Sequence, residues 1–225
     1  MLLYSFFQTG KETEFAVVAG VLRLSTKYDV PHLRQRAITH LTTAYPTSLK
    51  GWDNRSTART IPATPYVPFA VLELARATDV DCVLPSAMYC CCTCSVRDIL
   101  DGVMWAGSRL HMHPADKRTC TIARQNLLTV KANTISAFLM PCDVPACKTH
   151  DACNAGRLKG VFANTDDEFC DPLWDRFDWA SFARVVCASC LAASKDSYEK
   201  ARSELWADLP RIFDLRSWSE LQATD

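Results

Sequence analysis

Seven glycines in 225 residues, none in a G-x-G-x-x-G or G-x-x-x-x-G-K arrangement, leave the chain without the loops that cradle nucleotide phosphates. Net charge is missing as well. The 25 Lys and Arg residues are balanced by 25 Asp and Glu, so no basic field draws in a nucleic-acid backbone. Apolar runs are short: stretches such as Phe15 to Leu22 fall well below the roughly 20 residues a bilayer span needs, and no charged n-region precedes them. The expectation is a soluble intracellular protein, cytoplasmic or nuclear. Strand signals are scarce and no internal repeat is visible. At 225 residues the chain is long enough for one large core or two small ones.

What is present reads as helix almost throughout, an all-α fold. Phe15, Val18, Val21 and Leu22 recur at helical spacing. A turn at Tyr28-Asp29-Val30 before Pro31 leads to Leu33, Ala37 and Leu41 on one face of a second helix, making a helical hairpin. Residues 51–68 are rich in Pro, Thr and Ser with little periodicity and read as a linker. This boundary divides the chain into 1–50, the linker 51–68, and a helical carboxy-terminal domain, 69–225. Beyond it, helices are expected from Phe69, near Pro85, from Pro114 with its stripe Leu127, Val130, Thr134 and Phe138, and over Ala155 to Phe162. One long helix is expected from the aromatic stretch Trp174 to Phe182 as far as Trp206, ending before Pro210. The acidic run Asp166-Asp167-Glu168 reads as a solvated loop.

Twelve cysteines are the exception to a bland composition. Cys90, Cys91, Cys92 and Cys94 sit in a helical stretch where neighbouring thiols point apart, and they read as small buried hydrophobes of a reducing compartment. Four others carry a pattern. Cys147 and Cys153, spaced C-x5-C, lie in a loop, and Cys187 and Cys190, spaced C-x2-C, lie at the start of a helix. Two such pairs brought together by folding make a tetrahedral structural zinc site. Cys142 and His150 stand near enough in sequence to replace a loop ligand. Redox chemistry at Cys187-Ala188-Ser189-Cys190 would need a strand before the helix, which the pattern lacks. No histidine shows the local signature of a Cys-His nucleophile, so no catalytic residue is expected.

The run Val21-Leu22-Arg23-Leu24-Ser25-Thr26-Lys27-Tyr28-Asp29-Val30, then Leu33-Arg34 and Ala37, resembles the end of a BTB/POZ domain as found in fungal BTB domain-containing proteins. Tyr45-Pro46 and Trp52 stand where that family's next helix and linker do. Downstream, Leu84-Pro85-Ser86-Ala87-Met88-Tyr89 is similar to its L-P-A-A-x-Y helix. Cys187 to Cys190, Arg202, Leu205-Trp206, Leu209-Pro210, Phe213-Asp214-Leu215 and Trp218 are similar to its terminal segment. The resemblance implies a helical hairpin from the end of a BTB domain, followed by a helical bundle with a Cys-rich loop. It also implies a non-catalytic adaptor that binds a protein partner such as a ubiquitin-ligase scaffold or a transcriptional assembly. A complete BTB domain carries more chain ahead of this motif, so the expectation is an amino-terminally truncated member whose Met1 to Phe7 form an exposed apolar patch. The alternatives are a zinc-stabilised nucleic-acid module using Lys148, Arg157 and Lys159 as a basic face, and a thiol redox protein using Cys187.

Overall fold

The computed structural model describes residues 7–163, 171–173 and 177–223; Met1 to Phe6, the acidic run Asp166-Asp167-Glu168 and Trp174 lie outside the described residues. The described chain is mainly helical with one two-stranded hairpin. It divides into two units. One takes the residues up to Ala123 together with those from Leu209 onward, and the other runs from Arg124 to Asp208.

The first unit starts with a helical hairpin, α1 (Phe15–Lys27) and α2 (Pro31–Ala44). Val18, Ala19, Leu22 and Ser25 are buried along α1, one stripe at the helical period, and α2 packs on that helix with Ala37, Ile38 and Leu41 buried. Asp29 makes the turn at φ 50°, a left-handed position that Asp tolerates better than most side chains. Phe7 does not join an exposed patch. It is buried, its ring centroid 4.8 Å from that of His40, and its carbonyl accepts from Arg36.

Next come α3 (Leu49–Ala58), α4 (Val67–Thr78), α5 (Leu84–Cys92) and α6 (Val96–Asp101). The polar composition from Gly51 suggested loop, yet the chain is helical as far as Ala58. Ser48 caps this helix by accepting from the Gly51 N–H at 3.2 Å, and Trp52 anchors it. The indole is 1% exposed and meets Tyr89 edge-on at 5.3 Å, with the Arg55 guanidinium 3.3 Å from the ring centroid. Burial of so large an apolar surface outweighs the weak propensity of the neighbouring Gly, Asn, Ser and Thr. α5 is buried nearly all round, and its Ser86 hydroxyl is satisfied by the Pro46 carbonyl at 2.7 Å.

An all-helical reading had no place for the antiparallel pair β1 (Val103–Trp105) and β2 (Ser108–Leu110). The hairpin is set by its turn, where Ala106 and Gly107 take φ 47° and 82°, the positive values whose twist suits a two-residue hairpin. At its base Gly102, φ 77°, approaches the Leu110 carbonyl so closely that a Cβ would sit 2.5 Å from the oxygen. α7 (Pro114–Val130) follows, tied to α4 by the Arg76–Asp116 ion pair at 2.8 Å. Cys91, Cys92 and Cys120 are fully buried; the Cys92 thiol donates to the Cys120 carbonyl, and burial pushes the Cys91 thiol well above its ordinary range. The last helix, Trp218–Ala223, packs on the turn Asp81–Val83, where Arg216 pairs with Asp81 at 2.8 Å.

In the second unit the chain passes through a π-type turn, Lys131–Ile135, and a 3-10 turn, Ala137–Leu139, to α8 (His150–Ala163), α9 (Trp179–Phe182) and α10 (Ala188–Ile212). Phe138 is the hub of its core, with Phe177, Trp179, Phe182 and Tyr198 at centroid distances of 4.9, 5.2, 5.8 and 5.6 Å. The single long helix expected from the aromatic stretch to Trp206 is in fact two. It is interrupted between Phe182 and Ala188, and α10 continues through Pro210 rather than stopping before it. Leu209 and Phe213, 0% and 1% exposed, hold that last turn despite the amide that proline lacks. No helix among the described residues is long and apolar enough to cross a membrane.

Candidate metal centre

Two helix beginnings supply the cysteine cluster. α8 opens after Thr149, whose carbonyl accepts the Cys153 N–H at 2.9 Å, so Cys153 sits on the first turn. α10 opens after Cys187, whose carbonyl accepts the Leu191 N–H at 2.9 Å, and Cys190 lies on its first turn. The unpaired amides and dipole at a helix amino end favour negative charge. Cys147 precedes α8 in a turn closed by its own N–H to the Val144 carbonyl at 2.8 Å.

The structure brings Cys147, Cys153, Cys187 and Cys190 together, with all four sulfurs within 4.8 Å of one another. Cys187 Sγ lies 3.8 Å from Cys147 Sγ. That is too long for a disulfide, near 2.05 Å, and it matches the edge of about 3.8 Å of a sulfur tetrahedron with metal–sulfur bonds near 2.3 Å. Three cysteines are buried and Cys187 is partly so, with Val144 and Val186 packed beside them. Cys142 is exposed, its amide bonded to the Asn154 side chain at 3.1 Å. His150 is exposed on α8 with Nδ1 3.6 Å from Asp143. Neither joins the cluster.

Amides and a hydroxyl already orient the sulfurs. The Cys187 N–H donates to Cys153 Sγ at 3.2 Å, the Thr149 N–H donates to Cys147 Sγ at 3.4 Å, and the Thr149 hydroxyl lies 3.4 Å from Cys153 Sγ. The hydroxyl first, and then the Cys187 amide, lower the Cys153 thiol to about 6. Burial first, and then Cys147 and Cys187, push the Cys190 thiol up to about 12. A bound cation stabilises the deprotonated form of every thiol it touches.

Sequence spacing pointed to the four cysteines but not to Thr149, Gly156 or Arg157. Gly156 lies one turn beyond Cys153, and a Cβ there would collide with the Val185 carbonyl. This close approach seats α8 against the break between α9 and α10, immediately before Cys187. Arg157 is 1% exposed, and its Nη1 donates to the Phe138 carbonyl. A glycine in a helix interior, costly for the helix by itself, was the available sign. Gly156→Ala should therefore separate α8 from Val185 and destabilise the chain, whereas Gly20→Ala, where a Cβ meets nothing within 4 Å, should be neutral or stabilising by up to about 1 kcal/mol. Denaturant unfolding of both variants checks this, and equal effects would contradict the packing described.

Comparison of the chain with protein-family models, with curated proteins and with solved structures finds no match.

Proposed function

We propose that this protein is a non-catalytic interaction module whose second unit is locked by a structural zinc ion on Cys147, Cys153, Cys187 and Cys190. The observation that supports it is the mutual approach of four sulfurs within 4.8 Å. A catalytic zinc keeps one position open for water, and here a fourth thiolate stands in that place. Zinc bound to such a set supplies folding energy, roughly 10–16 kcal/mol of apparent binding in zinc-finger peptides. That gain would fix the segment from Pro141 to Thr149, which forms no helix or strand of its own.

Binding of a protein partner is the activity this leaves, in keeping with the resemblance of Val21 to Ala37 to the end of a BTB/POZ domain. The partner class is a ubiquitin-ligase scaffold or a transcriptional assembly. α1 offers a surface for it: Val17, Leu24 and Tyr28 are 44%, 58% and 65% exposed on a face turned away from the buried stripe, the kind of apolar patch that marks an interaction site. The nucleic-acid alternative is weakened because Arg157, one of the three cations it needs, is buried.

Native mass measurement should find one zinc per chain, retained in Cys142→Ser and lost in Cys187→Ser/Cys190→Ser, with a fall in melting temperature of roughly 10 °C or more on loss of the metal. A zinc-free wild-type chain whose melting temperature is indifferent to chelator contradicts the reading. The partner half has its own test. Binding of the full chain to a purified cullin scaffold should weaken about tenfold or more in Leu24→Asp, and binding that ignores this change contradicts use of the α1 face.

A further inference from the structure

Four thiolates around a divalent cation leave two negative charges uncancelled, in a cluster where three of the four ligands are buried. Charge held out of water is tolerated only beside a compensating group. Arg157 is placed to be that group. It lies one helical turn beyond Cys153 on the same face of α8, it is 1% exposed, and its Nη1 is fixed by the Phe138 carbonyl. Side chains four positions apart on a helix are surface neighbours, about 5–6 Å between Cβ atoms, which sets Arg157 beside Cys153. Among the described residues no carboxylate forms an ion pair with it, and its Nε is buried without a hydrogen-bond partner. A guanidinium does not lose its proton in a protein, and a fully buried arginine is almost always paired.

We propose that Arg157 is the built-in counter-charge of the thiolate cluster and sets its affinity for a divalent cation by offsetting negative charge on the ligand shell. The inference rests on the metal reading above. The Phe138 carbonyl holds one arm of the guanidinium, and the Nε, buried without a hydrogen-bond partner, remains to meet added negative charge. Because Cys153 and Arg157 share one helix face, the same docking of α8 that delivers a ligand delivers the cation.

The test is a competitive titration of zinc against a chromophoric chelator at fixed pH. It uses the full-length wild type, Arg157→Met and Arg157→Lys, each also in a Cys190→Ser background. Arg157→Met should weaken zinc binding about 10- to 100-fold, the usual cost of losing an outer-shell partner, and Arg157→Lys should return it to within about threefold of wild type. In the Cys190→Ser background, where one thiolate charge is already gone, the Arg157→Met effect should shrink to about threefold or less. A merely structural arginine would lower binding equally in the Met and Lys variants and equally in both backgrounds; that result overturns the proposal, as does an Arg157→Met chain that binds within about twofold of wild type. Should Arg157→Met not fold, Arg157→Lys decides alone, and a loss above about tenfold overturns the counter-charge. Failure of the wild type to bind zinc is a separate signature, and it sinks the metal reading together with this one.

Discussion

The contact on which the second unit depends is the approach of α8 to the carbonyl of Val185, an approach that only a glycine at position 156 permits. It brings the first turn of α8 beside the amino end of α10 and so unites two cysteine pairs whose nearest members, Cys153 and Cys187, are 34 positions apart. Removing a side chain at one residue thus does what spacing alone cannot. The same approach explains why the expected long helix is broken. The backbone between α9 and α10 leaves helical geometry where it meets Gly156, and α10 then begins afresh with Cys187 at its mouth.

One residue type has two fates in this chain, and environment decides between them. Cys91, Cys92 and Cys120 are fully buried, burial raises the Cys91 thiol, and they pack as small hydrophobes. Cys153 receives a hydroxyl and an amide at a helix amino end, and its thiol falls to about 6. A thiol met by hydrogen-bond donors is prepared to ligate. The distinction lies in the surroundings, which is why a count of twelve cysteines says little by itself.

The helical character and the α1–α2 hairpin were legible because their apolar residues repeat at the helical period over several turns, as Val18, Leu22, Ala37 and Leu41 do. The pairs Cys147/Cys153 and Cys187/Cys190 were legible because spacing and position near helix starts are properties of the chain alone. The β-hairpin was not, since strands of three residues carry no alternation to detect. Nor was the helix over Leu49–Ala58, whose stability comes from Trp52 finding Tyr89 and Arg55 rather than from propensity. Pro210 misled in the same way: its missing amide is a local cost, and the burial of Leu209 and Phe213 that offsets it is a tertiary gain. Arg157 read in the sequence as one cation of a solvated basic face with Lys148 and Lys159, and only its neighbours reveal that it is buried.

Helix amino ends and amide donors meet four sulfurs that a close-packed glycine brings together, an arrangement suited to a soft cation. X-ray absorption at the zinc edge, recorded on the full chain purified without added chelator, tests this account most directly. It predicts a first shell of sulfur alone, four scatterers at about 2.3 Å; a shell containing nitrogen or oxygen, or a chain with no zinc at all, would contradict it.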